Sequence, residues 1–359
     1  MESGVPQARG FRTLPGLRVW EKAPLSPFTT IATGGTAGLL LSALNYEGLV
    51  SALQVLRESE APWFCLGGGS NLLVADRGYP GIVLKLEEGF QYVDGLPDCP
   101  GKNGERGGKD GMRAGKDDQG PGKGDPAAGS GTEWHGQHGS PEQTELVVGA
   151  GAFLARLAAV AAEAGLSGLE WACGIPGTVG GAMAMNAGAH GVSLDQVAVA
   201  VELASDQGVR WVSRESLECG YRFCRLPAGS VVTAVRLVLT PGDPGDILQR
   251  HRALLRVRRT TQPRGTRTFG SAFKNPPGDS AGRLLEAAGL KGVRHGGAEI
   301  STVHANFIVN LGDATTGDVL CLMGIMREAV IRSCAVSLEP EVRLLGAAFP
   351  WSEGQRSDG

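Results

Sequence analysis

The chain has 359 residues, 20% of them charged, and a formal net charge of −3 at pH 7, which predicts two or three modest domains and excludes a general basic footprint for nucleic acid. No apolar run is long enough to span a membrane, and the N-terminal segment lacks the apolar core of a secretory leader. The seven cysteines are scattered, odd in number and without paired metal spacing, so free thiols in a reducing cytoplasm are expected and no metal site is.

Residues 1–18 read as a flexible lead-in. Pro27-Phe28-Thr29-Thr30 approaches Gly34-Gly35, a turn before the apolar run Leu39-Leu40-Leu41. Asn45 can cap a helix that carries Leu49, Ala52, Leu53 and Leu56 on one face. That helix returns the chain to a short strand at Trp63–Leu66, completing a β-α-β unit. Gly67-Gly68-Gly69-Ser70-Asn71 follows as a tight turn, and Ile82-Val83-Leu84 with Leu86 forms another strand. Residues 93–144 collapse into Gly, Lys, Asp, Pro and Ser, and cannot bury enough apolar surface to offset chain entropy. A disordered surface insertion is expected there, with Trp134 and His135 its only contact candidates.

Order resumes with Leu146-Val147-Val148 and a helix presenting Leu154, Leu157, Ala158 and Ala161, with Gly165 as its stop. Val197–Ala204 and Val209–Val212 read as paired strands joined at Asp206-Gln207-Gly208. Val231–Leu239 is a further strand, and Asp246–Arg258 is an arginine-rich helix. Asp279 can cap a short helix that buries Leu284 and Leu285 and closes at Gly289. Phe307-Ile308-Val309 is a strand, and Thr316 opens an amphipathic helix through Val319, Leu322, Met323, Met326 and Val330.

Cys173–His190 stands out, with five glycines and almost no charge. Glycine costs roughly 1 kcal/mol relative to alanine in a helix, so a shaped loop is expected instead, with φ fixed at Pro176. Such a loop brings backbone N–H groups close to a ligand, the usual way of cradling phosphate. The bland reading is a loop that only packs tightly. The Gly67–Asn71 turn is a second loop of the same kind, in which Ser70 and Asn71 add donors. Neither has the Rossmann or Walker pattern. Two such loops suit a long ligand with a central pyrophosphate, such as a dinucleotide. Cys173 beside the second loop reads as a packing residue.

These pieces together resemble the UDP-N-acetylenolpyruvoylglucosamine reductase family, flavoenzymes of peptidoglycan precursor synthesis. The resemblance rests on Gly67–Asn71, Gly174–Gly188, Tyr221-Arg222, Gly270-Ser271-Ala272-Phe273-Lys274-Asn275-Pro276, Ala305–Asn310 and Glu339-Pro340-Glu341-Val342-Arg343. It implies an α+β fold: a two-part FAD-binding module of the vanillyl-alcohol-oxidase/PCMH type over residues 19–92 and 145–258, then a C-terminal α+β substrate-binding domain over 259–346. A polar tail is expected over 347–359. The short span from Arg222 to Ser271 is similar to the branch lacking an extra substrate-closing segment.

The resemblance further implies non-covalent FAD, NADPH as reductant, and a small-molecule substrate, UDP-N-acetylglucosamine enolpyruvate. It points to a cytoplasmic monomer with no nucleic-acid or membrane partner. Arg222, Ser271 and Glu341 match the family's catalytic positions: carboxylate anchor, proton donor and assisting acid. The plain alternatives are a surface salt bridge for Arg222, a loop-capping role for Ser271 and a partner for Arg343 in the case of Glu341. Gly67, Gly68, Gly69, Ser70, Asn71, Gly174, Ile175, Pro176, Gly177, Thr178, Gly181, Asn186 and Gly188 match cofactor-binding positions. Tyr221, Lys274, Asn275 and Arg259 are the substrate-binding candidates, with Arg258 a weaker one. Two positions depart from the family pattern: Ala32 stands where a basic residue is usual, and Cys224 where serine supports the arginine. Other readings are an FAD-dependent oxidase of the wider superfamily, or a catalytically silent flavin or UDP-sugar binding protein.

Overall fold

The computed structural model describes residues 8–59, 61–97 and 143–351. In the first sheet, Leu17–Glu21, Ala37–Ala43, Tyr79–Leu86 and Trp63–Leu66 lie side by side in that order. The first pair is antiparallel and the other pairs are parallel. Ala37–Ala43 is buried along nearly its whole length, as suits a strand covered on both faces. Asn45 Oδ1 accepts from Gly48 N at 2.9 Å, which caps the helix Tyr46–Ser59. That helix buries Leu49, Leu53 and Leu56 against Leu39, Leu41 and Ile82 of the sheet.

The second sheet is antiparallel, in the order Gly208–Ser213, Ala198–Ser205, Val231–Pro241, Thr144–Gly149, Val93–Asp94. Gly208 takes a φ of +112° in the turn of the expected strand pair, a conformation that only glycine adopts freely. Leu154, Leu157, Ala158 and Ala161 of the helix Leu154–Glu163 share one core with this sheet. The last unit combines the strands Arg294–His295, Ala298–Ile300 and Ile308–Asn310 with the helices Ala281–Ala287 and Thr316–Cys334. Thr315 and Asp318 form a capping box at the start of the long helix. Arg343–Leu345 then leaves this unit and pairs in parallel with Leu72–Val74.

Five expectations are corrected. Residues 8–18 are structured: Arg9–Arg12 forms a helical turn whose Phe11 is fully buried, and Leu17 begins the edge strand. Burying one such ring contributes about 2 kcal/mol, enough to dock a short polar segment; residues 1–7 lie outside the described residues. Val93, Asp94 and Thr144, expected inside the insertion, are instead ladder residues. Residues 98–142, with Trp134 and His135, lie outside the described residues. The tail is ordered at its start, where the Phe349 and Trp351 rings stack at 5.3 Å against the last core; residues 352–359 lie outside the described residues. The short helix is capped by Ser280, whose Oγ accepts from Arg283 N at 3.2 Å, while Asp279 pairs with the Arg283 side chain. The arginine-rich helix is longer than expected, Pro244–Thr261, because Asp243 caps it and Pro244 suits its first turn. Among the described residues no helix is long and apolar enough to cross a membrane.

Candidate active site

The two glycine stretches meet. The strand Trp63–Leu66 delivers Gly67–Asn71 at its C-terminal end, and Ser70 Oγ donates to Pro176 O at 3.0 Å. A Cβ on Gly68 would lie 2.6 Å from Gly177 Cα, so only glycine lets the backbones approach this closely.

The second stretch is not a loop throughout. Val179–Ala184 is a six-residue helix, capped where Thr178 Oγ1 accepts from Gly181 N at 3.4 Å. Propensity argued against it, but packing decides. Val179 and Met183 are buried, and a Cβ on Gly180 would come within 2.7 Å of Ala150 Cβ. Close contact with Ala150 therefore offsets the propensity cost.

Two clefts of about 320 and 330 Å³ adjoin this meeting point. Gly67, Gly68, Thr178 and Gly181 line both, so the clefts join across a glycine cradle. The second cleft runs on to Phe28, Lys85 and Gln91. The first runs on to Arg222, Ser271 and Glu341, which brings together the three expected catalytic positions.

Arg222 sits in the turn of a short hairpin, Cys219–Gly220 with Phe223–Cys224, and has a φ of +64°. Asn186 anchors that hairpin: its Nδ2 donates to Gly220 O at 3.0 Å and its Oδ1 accepts from Asp195 N at 3.1 Å. Arg222 Nη1 donates to Gly188 O at 2.9 Å, and Arg222 Nε lies 2.6 Å from Glu341 Oε1. The last contact is an ion pair in which the Nε–H is not aligned on the oxygen. Glu341 thus pairs with Arg222 rather than with Arg343. Burial raises the Glu341 carboxyl above its ordinary value, against the opposing pull of Arg222 and Lys274.

Ser271 lies on a clamped segment. Ala272 N donates to Asn306 O at 2.8 Å, and the buried Asn306 side chain accepts from Phe273 N at 3.0 Å and donates to Phe273 O at 2.8 Å. On the other side, Glu341 N donates to Ala272 O at 2.9 Å. Asn71 Nδ2 donates to Glu341 O at 3.1 Å, and Arg343 N donates to Asn71 O at 3.1 Å. The first glycine turn, Ser271 and Glu341 are therefore tied together through backbone.

The expectation of free thiols fails at the hairpin. Cys219 and Cys224 face each other across the two strands and are joined by a disulfide. Opposed positions in an antiparallel pair bring Cβ atoms within bonding reach, which a linear spacing does not reveal. Cys224, which stands where the family has a supporting serine, therefore has no thiol hydrogen to donate beside Arg222. Cys65, Cys173, Cys321 and Cys334 are free. Desolvation pushes the Cys65 thiol up to about 12 and raises Cys173, so neither is a ready nucleophile.

Gly67, Gly68, Gly69, Ser70, Asn71, Ile175, Pro176, Gly177, Thr178, Gly181 and Gly188 line the first cleft as well. Gly174 packs against Arg258, and the buried Asn186 is committed to the hairpin. Tyr221 is half exposed, its hydroxyl accepting from Asn275 N at 3.4 Å. Asn275 Oδ1 accepts from Ala281 N at 3.0 Å, and Lys274 Nζ lies 3.4 Å from Glu339 Oε2. Arg259 is exposed and away from the cleft, whereas Arg258 and Gln262 line it. Helical phase distinguishes the two arginines: Ile247, His251 and Arg258 fall on one stripe of Pro244–Thr261, and Arg259 is a further 100° round. Burial and the nearby Arg222 push the Arg258 guanidinium downward, and among the described residues it has no ion-pair partner. Arg343, not among the expected site residues, also lines the cleft.

Residues 262–345 match the model of the UDP-N-acetylenolpyruvoylglucosamine reductase C-terminal domain, and residues 133–213 match that of an FAD binding domain. The UDP-N-acetylenolpyruvoylglucosamine reductase of Anaeromyxobacter sp. (strain Fw109-5) is 44% identical over 328 residues, covering 91% of this chain and 89% of that protein. The enzyme of the same name from Myxococcus xanthus (strain DK1622) is 40% identical over 348 residues, covering 96% and 99%. The crystal structure of UDP-N-acetylenolpyruvylglucosamine reductase from Thermus caldophilus superposes with a TM-score of 0.68 at 37% identity, covering 92% of this chain and 99% of that one. The architecture is the α+β one expected, an FAD-binding module followed by a C-terminal α+β unit. With identities of 40% or more over at least nine-tenths of the chain, and a family model matching the unit that carries Ser271 and Glu341, the chain belongs to the UDP-N-acetylenolpyruvoylglucosamine reductase family.

Proposed function

We infer that this chain reduces the enolpyruvyl group of UDP-N-acetylglucosamine enolpyruvate to give UDP-N-acetylmuramate, using non-covalent FAD and NADPH. The observation that carries the reading is the convergence of Arg222, Ser271 and Glu341 on one wall of a cleft that begins at a glycine cradle. FAD fits this cleft. The Gly67–Ser70 and Gly177–Gly181 backbones suit its pyrophosphate, and a Cβ at Gly67 or Gly68 would close the passage on which both clefts depend. When bound, FAD supplies hydride transfer from NADPH to the β carbon of the enol ether.

The protein's own groups handle the charge that follows. Addition at the β carbon leaves negative charge spread over the α carbon and the carboxylate. Arg222 stays charged throughout and can hold that carboxylate with its fork of donors. Glu341 helps as a neutral acid, which its burial favours; as an anion it would repel the same charge. Ser271 donates the proton to the α carbon. Its hydroxyl is a weak acid, but the acceptor is a strong base. Arg258 lines the same cleft near Arg222 and is free to meet a phosphate or carboxylate, and Tyr221, whose hydroxyl meets Asn275 N next to Lys274, supports these three as contacts for the sugar nucleotide. A cytoplasmic monomer is the setting this reading implies.

Anaerobic stopped-flow tests it. The yellow protein is reduced with NADPH, then mixed with the enol ether while flavin absorbance is followed. Rapid reoxidation with formation of UDP-N-acetylmuramate is expected. Ser271→Ala slows that step by roughly 10²- to 10⁴-fold and leaves reduction by NADPH near the wild-type rate. A flavin that stays reduced until oxygen is admitted refutes the assignment and moves the search to oxidase substrates or a binding role.

A further inference from the structure

We propose that Cys219 and Cys224 are a site of reversible thiol oxidation that clasps the turn carrying Arg222, and so sets the affinity for the substrate carboxylate. The proposal rests on the functional reading above. The ladder beneath the turn has only two residue pairs, Cys219 with Cys224 and Gly220 with Phe223. A hairpin this short has little stability of its own. Its turn also holds a non-glycine residue, Arg222, at a φ of +64°, a conformation that costs free energy unless its surroundings impose it. Two hydrogen bonds help: Asn186 Nδ2 to Gly220 O at 3.0 Å and Arg222 Nη1 to Gly188 O at 2.9 Å. The disulfide closes the base of the turn covalently, across a sequence separation of 5. Because Arg222 lies 2.6 Å from Glu341, the same closure also fixes the contact between these two cleft-wall groups.

The chemistry is thiol–disulfide exchange, and access sets its direction. Cys224 is 7% exposed, whereas Cys219 is only partly buried, so attack falls on Cys219 Sγ. A thiolate of a thioredoxin-class dithiol bonds to Cys219 Sγ, and the Cys219–Cys224 bond breaks. Cys224 leaves as a thiolate and takes a proton. The second thiol of the dithiol then displaces Cys219, which is protonated in turn. Two electrons and two protons enter the protein, and the dithiol becomes a disulfide. A disulfide oxidant such as oxidised glutathione reverses both steps. Among the described residues the free cysteines, Cys65, Cys173, Cys321 and Cys334, all lie off the hairpin.

The test uses holoenzyme purified without reductant. Free thiols are alkylated with N-ethylmaleimide and the peptide containing Cys219 and Cys224 is weighed, before and after treatment with a phosphine reductant that is then removed. The KM for the enol ether and the flavin absorbance change on titrating enol ether into the oxidised-flavin enzyme are measured for both forms. Reduction should raise both the KM and the dissociation constant by roughly 3- to 30-fold, below the ceiling that closing a six-residue loop allows, with the rate of flavin reduction by NADPH unchanged. Oxidised glutathione should restore the original values. Cys219→Ser/Cys224→Ser should behave as the reduced form and ignore the reductant. Two results overturn the proposal: both cysteines are alkylated even after exposure to oxidised glutathione, or reduction leaves KM and the spectral titration unchanged. If the disulfide-bonded enzyme never turns over the enol ether, the functional reading fails instead.

Discussion

Gly181→Ala moves stability and cofactor affinity in opposite directions. Gly181 is helical, and a Cβ added there meets Thr178 Oγ1 at 3.5 Å and Gly67 Cα at 3.8 Å, both ordinary contacts. Alanine is favoured over glycine in a helix by about 1 kcal/mol, so the flavin-free protein gains up to that amount and its Tm rises by about 1–3 °C. The same methyl enters the passage shared by both clefts. Overpacking against a bound group costs about 1–3 kcal/mol, and at about 1.4 kcal/mol per decade FAD affinity falls by roughly 5- to 150-fold. Calorimetry of the flavin-free protein reads the first effect, and quenching of FAD fluorescence on titration reads the second. Gly68→Ala is the contrast. Its Cβ would lie 2.6 Å from Gly177 Cα, so it lowers both quantities. Unchanged FAD affinity in Gly181→Ala would refute the cradle, and a lower flavin-free Tm would refute the local packing.

Glu341 predicts a pH dependence. Its carboxyl is raised by burial, so the proton it gains on folding contributes stability below the unfolded-state pKa, and that contribution is lost as pH rises through the folded-state value. Reoxidation by the enol ether should decline over the same rise. Glu341→Gln, which donates a hydrogen bond without titrating, should flatten that limb in single-turnover measurements between about pH 5 and 9; a limb that survives the substitution rules Glu341 out as its source. Asn306→Ala removes both side-chain bonds to Phe273 and leaves those backbone groups buried, costing about 2–3 kcal/mol. The urea midpoint should fall at constant m-value; an unmoved midpoint would mean that the clamp behind Ser271 carries no stability.

Much of the scaffold was legible because local signals agreed with their surroundings. Trp63–Leu66 running into three glycines leaves few options besides a strand and a tight turn, and Asn45 ahead of Leu49, Leu53 and Leu56 specifies cap and face together. Val179–Ala184 was misread because propensity is a weak prior, overridden here by contact with Ala150. Phe11 was missed because a single apolar residue in a polar segment has no period to reveal it. The Cys219–Cys224 pairing needs a hairpin of two residue pairs, too short for any strand pattern. Arg258 was distinguishable from Arg259, since the stripe through Ile247 and His251 was present in the sequence. Arg222, Ser271 and Glu341 were legible only through family resemblance. Residues so far apart along the chain carry no internal sign that Asn306 and Arg343–Leu345 will draw them onto one wall.

The parallel pairing of Leu72–Val74 with Arg343–Leu345 has a consequence for biosynthesis. Asn71 and the Glu341 backbone that it holds are 270 residues apart. At about 5–20 residues per second, a ribosome needs roughly 15–50 s to supply the second after the first. Throughout that interval Leu72–Val74, which has no other partner strand among the described residues and whose three side chains are all buried in the finished fold, emerges without that partner. Such an apolar edge is a template for pairing with another chain until Arg343–Leu345 covers it. The two glycine stretches leave the ribosome well before Glu341, so both sides of the glycine cradle are made before the carboxylate that faces Arg222.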